Sequence, residues 1–151
     1  MEATEIRLES VPRLVNDIWG SMLGLELAGP AAPAETGAPP DSYTAWLRII
    51  GSENITIILK CPESLAQKAT AAMFDTRLEE VSPDQVKDSL KEIVNILGGN
   101  VKGMLTKYHF LSVPSVAEPG RNPYFPMDEM IGEFKFTSLG QDFQLTLLKV
   151  D

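Results

Sequence analysis

Cysteine occurs only once in this 151-residue chain, at Cys61. That excludes an intramolecular disulfide and a cysteine-rich metal site. No apolar run approaches the roughly 20 residues a membrane-spanning helix needs. Residues 1–10, MEATEIRLES, lack the basic-then-apolar pattern of a signal peptide, so a cytoplasmic location is expected. Positive charge is scarce: 13 Lys and Arg stand against 21 Asp and Glu, for a net charge of −8. Without a basic patch to displace counterions from phosphates, neither nucleic acid nor an anionic membrane is expected as partner. A protein or a small molecule is. The chain has 44% hydrophobic and 23% charged residues, an ordinary soluble composition, and its length suits a single domain over 1–151.

The most informative stretch is Ser82 to Leu105, SPDQVKDSLKEIVNILGGNVKGML. Ser82 caps a helix, Pro83 takes its first position, and Gln85 completes a capping box. At about 100° per residue, Val86, Leu90, Ile93, Leu97, Val101 and Met104 share one face, the expected core face. Asp88, Glu92, Asn95 and Gly99 fall within roughly 60° of one another on the opposite side, with Ile96 near their edge. Such a row is, by itself, ordinary solvated surface. Asn95 and the pair Gly98-Gly99 fit that reading poorly, because each glycine costs a helix about 1 kcal/mol relative to Ala. Either something approaches closely there, or the helix kinks or ends at Gly98.

Residues 2–23 carry helical spacing in Ile6, Val11, Leu14, Val15, Ile18 and Met22, with Trp19 beside them. Pro12 starts or kinks that helix and Gly24 stops it. A short strand is expected over Leu25–Ala28, then a low-complexity surface loop, GPAAPAETGAPPD. Tyr43–Lys60 reads as a β-hairpin around Gly51-Ser52-Glu53-Asn54. Pro62 opens a short helix, Glu63–Phe74, with Leu65, Ala66, Ala69, Met73 and Phe74 as inward candidates. His109–Val113 is a strand closed by Pro114, residues 117–127 are irregular, and Ile131–Val150 forms a second hairpin. There, alternation of Phe134 and Phe136, and of Phe143, Leu145 and Leu147, points to one buried face.

A weak internal repeat lays Ser10–Gly24 on Ser89–Gly103. It matches Ser10 with Ser89, Val15 with Val94, Asn16 with Asn95, Gly20 with Gly99 and Gly24 with Gly103. The expected fold is α+β: two pseudo-symmetric αββ units, an antiparallel sheet packed against two long helices plus one short helix. Opposite Glu92, the first copy has Arg13.

The pattern Asp88-x-x-x-Glu92-x-x-Asn95, followed by Gly99, Gly103 and, after a strand, Pro114, resembles the signature of the CheC, CheX and FliY chemotaxis phosphatases. A single intact copy and the chain length resemble the single-domain CheX branch. The resemblance implies a homodimer that hydrolyses the phosphoaspartate of a CheY-like receiver domain. Asn95 and Glu92 are the implied catalytic residues, Asn95 holding the attacking water and Glu92 pairing with the receiver's active-site lysine. Asp88, Ile96 and Gly99 are the implied partner contacts. No cofactor is implied for this chain, the Mg²⁺ belonging to the receiver. Two rivals remain: a non-catalytic relative that binds receivers or serves as a structural switch element, and a small-molecule sensor using a pocket between the helices.

Other candidates have plainer readings. His109 has no carboxylate or Ser/Cys partner at motif spacing and is expected to be structural. Cys61 beside Pro62 is expected to be a small buried apolar residue. Gly98-Gly99 is no phosphate loop, since no Lys-Ser/Thr follows and it lies within a helical pattern. The six methionines are scattered.

Overall fold

A computed structural model describes residues 6–31 and 41–150. Helix α1 (Val11–Ile18) is followed by strands β1 (Ala28–Ala31), β2 (Ser42–Gly51) and β3 (Asn54–Pro62), then helices α2 (Glu63–Phe74) and α3 (Pro83–Lys102). Strands β4 (His109–Leu111), β5 (Ser115–Ala117), β6 (Glu129–Ser138) and β7 (Gln141–Val150) complete the order. The seven strands form one sheet, β1-β6-β7-β3-β2-β4, with β5 also on β2, and every pairing is antiparallel. Exchanging β1, β2 and β3 for β4, β6 and β7 returns the same strand order.

Alternation puts one sheet face into the core. Ala45, Leu47 and Ile49 of β2, Ile55, Ile57 and Leu59 of β3, and Phe143, Leu145 and Leu147 of β7 are all buried. The three helices cover that face. Both hairpins form where the alternating runs predict them, β2–β3 around Ser52 and Glu53 and β6–β7 around Leu139 and Gly140. Both residues of the second turn have positive φ, 53° and 76°, which matches the twist of a tight hairpin.

Three expectations need correction. The first helix is short: a 3-10 turn, Leu8–Ser10, precedes α1, because Pro12 has no amide to donate and sits best in a first turn. It then loosens into a π turn, Trp19–Leu23, before Gly24 ends it at φ 67°. There, Trp19 stacks on Phe143 at 4.5 Å between ring centroids and donates from Nε1 to Ser138 Oγ at 2.8 Å. The first strand is Ala28–Ala31, not Leu25–Ala28, since Leu25 and Leu27 pack on the core while the later residues pair with β6. Phe74 is exposed, at the last position of α2, where the chain turns away through Asp75. The expected surface loop lies outside the described residues over 32–40.

The long helix runs unbroken through both glycines. Its capping box is present, with Gln85 N–H donating to Ser82 Oγ at 3.2 Å and Ser82 N–H to Gln85 Oε1 at 2.9 Å. It ends at Lys102, with Met104 and Leu105 still buried beyond it. The six residues expected on its core face are all buried. Gly98 faces the sheet, where an added Cβ would lie 2.8 Å from Leu47 Cδ1, while Gly99 faces open space.

These two neighbours should therefore respond oppositely to alanine. Gly99→Ala is expected to raise the unfolding free energy by about 1 kcal/mol, the helix-propensity difference. Gly98→Ala should lower it by about 1 kcal/mol, because overpacking, typically about 1–3 kcal/mol, exceeds the same propensity gain. Urea denaturation reads both. Equal stabilisation by the two would show that α3 does not press on Leu47.

Candidate functional site

Helix α3 is held on three sides. Its core face lies on β2, and its contact with α2 includes a buried hydroxyl pair, Thr70 Oγ1 to Ser89 Oγ at 2.6 Å. Thr70 Oγ1 also lies 2.7 Å from the Ala66 carbonyl and Ser89 Oγ 3.0 Å from the Val86 carbonyl; with one proton each, one hydroxyl donates to its carbonyl and the other donates across the pair, so this polar spot inside the helix pair is satisfied. Packing on β2, α2 and α1 fixes the helix's rotation about its axis, and the remaining stripe faces solvent.

That stripe is the predicted row. Asp88, Glu92, Asn95 and Gly99 are all exposed, and Ile96 is half-buried at their edge. Glu92 and Asn95 are three residues apart, about 4.5 Å along the axis. Among the described residues, no side-chain hydrogen bond or ion pair engages Asp88, Glu92 or Asn95. The carboxylates and the amide therefore point outwards without an internal task. Beyond them Gly99 keeps the surface low, and Asn100 is turned back to donate from Nδ2 to the Ile96 carbonyl at 2.9 Å. Chemically, the row offers two anionic acceptors and one neutral amide with both donor and acceptor capacity. Among the described residues, no three His, Cys, Asp or Glu side chains are grouped to hold a metal ion. No described helix is long and apolar enough to cross a membrane.

Pro114 lies in the joint between β4 and β5. Both strands pair with β2, Leu111 opposite Ile49 and Ser115 opposite Trp46, so residues 112–114 face only 47–48. That is a bulge, and Ser112 fills it: its Oγ accepts from Arg48 N–H at 2.8 Å, and its own N–H donates to the Arg48 carbonyl at 2.8 Å. A residue without an amide proton is well placed at such an edge. Arg13 and Asn16 on α1, and Gly20 in the π turn after it, are exposed like their counterparts on α3.

His109 is buried and structural. Its Nδ1 donates to the Lys107 carbonyl at 2.7 Å, and its Nε2 accepts from Glu53 N–H at 3.3 Å. The ring lies over Gly51, where an added Cβ would come within 2.6 Å of it. Cys61 is buried, and desolvation pushes its thiol pKa up to about 12, so it is an inert packing group.

One feature of the site is invisible in the row. Lys87, beside Asp88 but turned about 100° from it, forms an ion pair with Glu118 at 2.6 Å. The hydrogen bond to Glu118 raises the Lys87 pKa, and the same bond holds the Glu118 carboxyl below its ordinary value. The pair stands at a hollow of about 470 Å³ along the sheet edge, lined also by Trp46, Val116, Arg121 and Asn122. Sequence reading missed it because its parts lie far apart in the chain.

One antiparallel sheet with helices packed on a single face is the fold this chain shares with CheX and CheC-like chemotaxis proteins. The family model described as chemotaxis phosphatase CheX matches residues 43–121, just over half of the chain. The chain belongs to this family. Solved structures agree on the fold. The chemotaxis protein CheX from Vibrio vulnificus superposes with a TM-score of 0.77 at 16% identity, covering 99% of this chain and 100% of that one. CheX from Desulfovibrio desulfuricans gives 0.77 at 16% identity, covering 94% and 97%. The CheX of a CheX–CheY–BeF3–Mg²⁺ complex from Borrelia burgdorferi gives 0.74 at 14% identity, covering 97% and 99%. No curated protein matches the sequence significantly.

Proposed function

We propose that this protein hydrolyses the phosphoaspartate of a CheY-like receiver domain docked on α3. The outward, unengaged pair Glu92 and Asn95 carries this reading, supported by membership of a phosphatase family and by the related complex with CheY. Asn95 is neutral and cannot act as a general base near neutral pH. The reaction does not need one. In phosphoryl transfer through a loose transition state, catalysis is chiefly positioning and charge stabilisation. The Asn95 amide orients a water in line with the bond to be broken. The water oxygen bonds to phosphorus as the bond to the aspartyl oxygen breaks. The aspartate leaves as a carboxylate, which needs no proton, and the protons of the water stay with the phosphate product.

Glu92, one turn earlier, pairs with the receiver's active-site lysine and sets the docking register. The receiver's own Mg²⁺ neutralises the phosphoryl oxygens. Gly99 admits the partner's backbone, while Asp88 and Ile96 contact it at the margins. The cytoplasm, where receivers act, is the proposed location. A homodimer belongs to the same proposal, and exposed Tyr108, Phe110 and Val113 along the β4 edge are its candidate contacts. Sedimentation equilibrium is expected to give twice 16.6 kDa, and a single 16.6 kDa species would contradict it.

Phosphate release from a panel of phosphorylated receivers tests the catalytic assignment. Asn95→Ala is expected to lower kcat by about 100-fold or more while still binding, the scale for removing one preorganised hydrogen-bonding group. Glu92→Ala should weaken docking as well. Both positions are exposed and unpartnered, so each variant should unfold within about 0.5 kcal/mol of wild type. Wild-type turnover in both would remove the assignment. Binding without phosphate release by the wild type would leave the non-catalytic relative as the reading.

A further inference from the structure

We propose that the hollow beside α3 is a second anchor for the same receiver, taking an acidic side chain of the partner in exchange for Glu118. This rests on the docking reading above and adds the surface that decides which receiver is accepted. A protein–protein interface of ordinary size covers about 800 Å² per partner, a patch of about 16 Å radius. Lys87 lies eight residues before Asn95, about 12 Å along the helix. A receiver seated over Asn95 therefore reaches either the α2 flank or the hollow. On the α2 flank, Ser89 is already closed off by Thr70. The opposite flank is open.

Charge distinguishes the two sides of the ridge. Asp84, Asp88 and Glu92 make the exposed crest acidic, while on its open side the hollow holds two cations, Lys87 and Arg121, against the single carboxylate of Glu118. This is a basic gutter in a chain of net charge −8. One contact at Glu92 leaves a partner free to swivel about it. A second contact of opposite sign on the flank removes that freedom and rejects partners whose charges fall elsewhere.

The free protein already holds a model of the bound state: the Glu118 carboxylate sits on Lys87 at 2.6 Å, with Arg121 contributing a further cation next to it. Glu118 and its neighbours 119–123 form an irregular segment rather than a paired strand, so the carboxylate is exchangeable. The half-buried indole of Trp46, braced edge-on by Phe125 at 5.3 Å, provides an apolar wall for the incoming side chain's methylenes. An acidic partner residue thus replaces Glu118 on Lys87 and meets Arg121 as well.

The test is a KM-against-kcat split with the phosphorylated receiver that the wild type turns over. The double variant Lys87→Ala/Arg121→Ala is expected to raise KM about five-fold with kcat unchanged and to flatten its salt dependence, as for loss of rim charges. Lys87→Arg should keep the wild-type KM. Glu118→Gln, which removes the internal competitor, should lower KM by about two-fold. An unchanged KM in the double variant, or a raised KM in Glu118→Gln, overturns the proposal. The same variants are measured for Kd in an Asn95→Ala background, where phosphorylated receiver persists. If the wild type binds without hydrolysing, phosphatase action fails while these Kd values still decide the hollow. If hydrolysis is normal and no variant shifts KM or Kd, the hollow alone fails. If no receiver binds, both are overturned.

Discussion

The close approach of α3 to β2 at Gly98 is the constraint from which the rest of the site follows. Any side chain there would enter the space of Leu47, itself fully buried among Ala45, Ile49 and the core face of the sheet. The contact sets both the height of the helix above the sheet and its rotation about its own axis. With rotation fixed, Val94 and Leu97 must face inwards, and Asn95 and Gly99, a fraction of a turn away, must face out. The two adjacent glycines therefore divide the work. Gly98 lets the helix come down onto its own sheet, and Gly99 keeps the outer surface of the helix low, facing open space.

Rigidity is what makes such a site useful. A loop carrying a carboxylate and an amide would lose orienting power to its own conformational freedom, whereas a capped helix packed on three sides holds them to a narrow range of positions. Its start is pinned by the reciprocal bonds of Ser82 and Gln85, its middle by the Thr70–Ser89 hydroxyl pair, and its later half by Leu47. Little chemistry is then asked of the side chains themselves. In the proposed reaction they place a water and a partner, and the partner brings the phosphoryl group, the lysine and the metal ion.

Much of this was legible in sequence, and the reasons are local. The capping box, the core stripe and the exposed row of α3 are properties of one contiguous segment with one period. The β2–β3 hairpin, the α2 span and the paired aromatic alternation of β6 and β7 are of the same kind. What could not be read depends on contacts across the chain. Helical periodicity placed Gly98 and Gly99 beside each other but not against Leu47, so a break at Gly98 was as consistent as a close approach. Trp19 ends the first helix in a π turn where it stacks on Phe143, 124 positions later in the chain. The strand after it is displaced because its partner is β6 rather than a neighbour in sequence. Lys87 and Glu118, which form the ion pair at the hollow, have no shared motif at all.

The central claim is that Glu92 and Asn95 enter the receiver's phosphoaspartate pocket. A double-mutant cycle between Glu92→Ala here and Lys→Ala at the receiver's active site measures that contact directly through binding of the phosphorylated receiver. The predicted result is a coupling free energy of about 1 kcal/mol or more, the second substitution costing little once the first is made. Losses that add to within about 0.3 kcal/mol would contradict it, placing the lysine and Glu92 at separate sites.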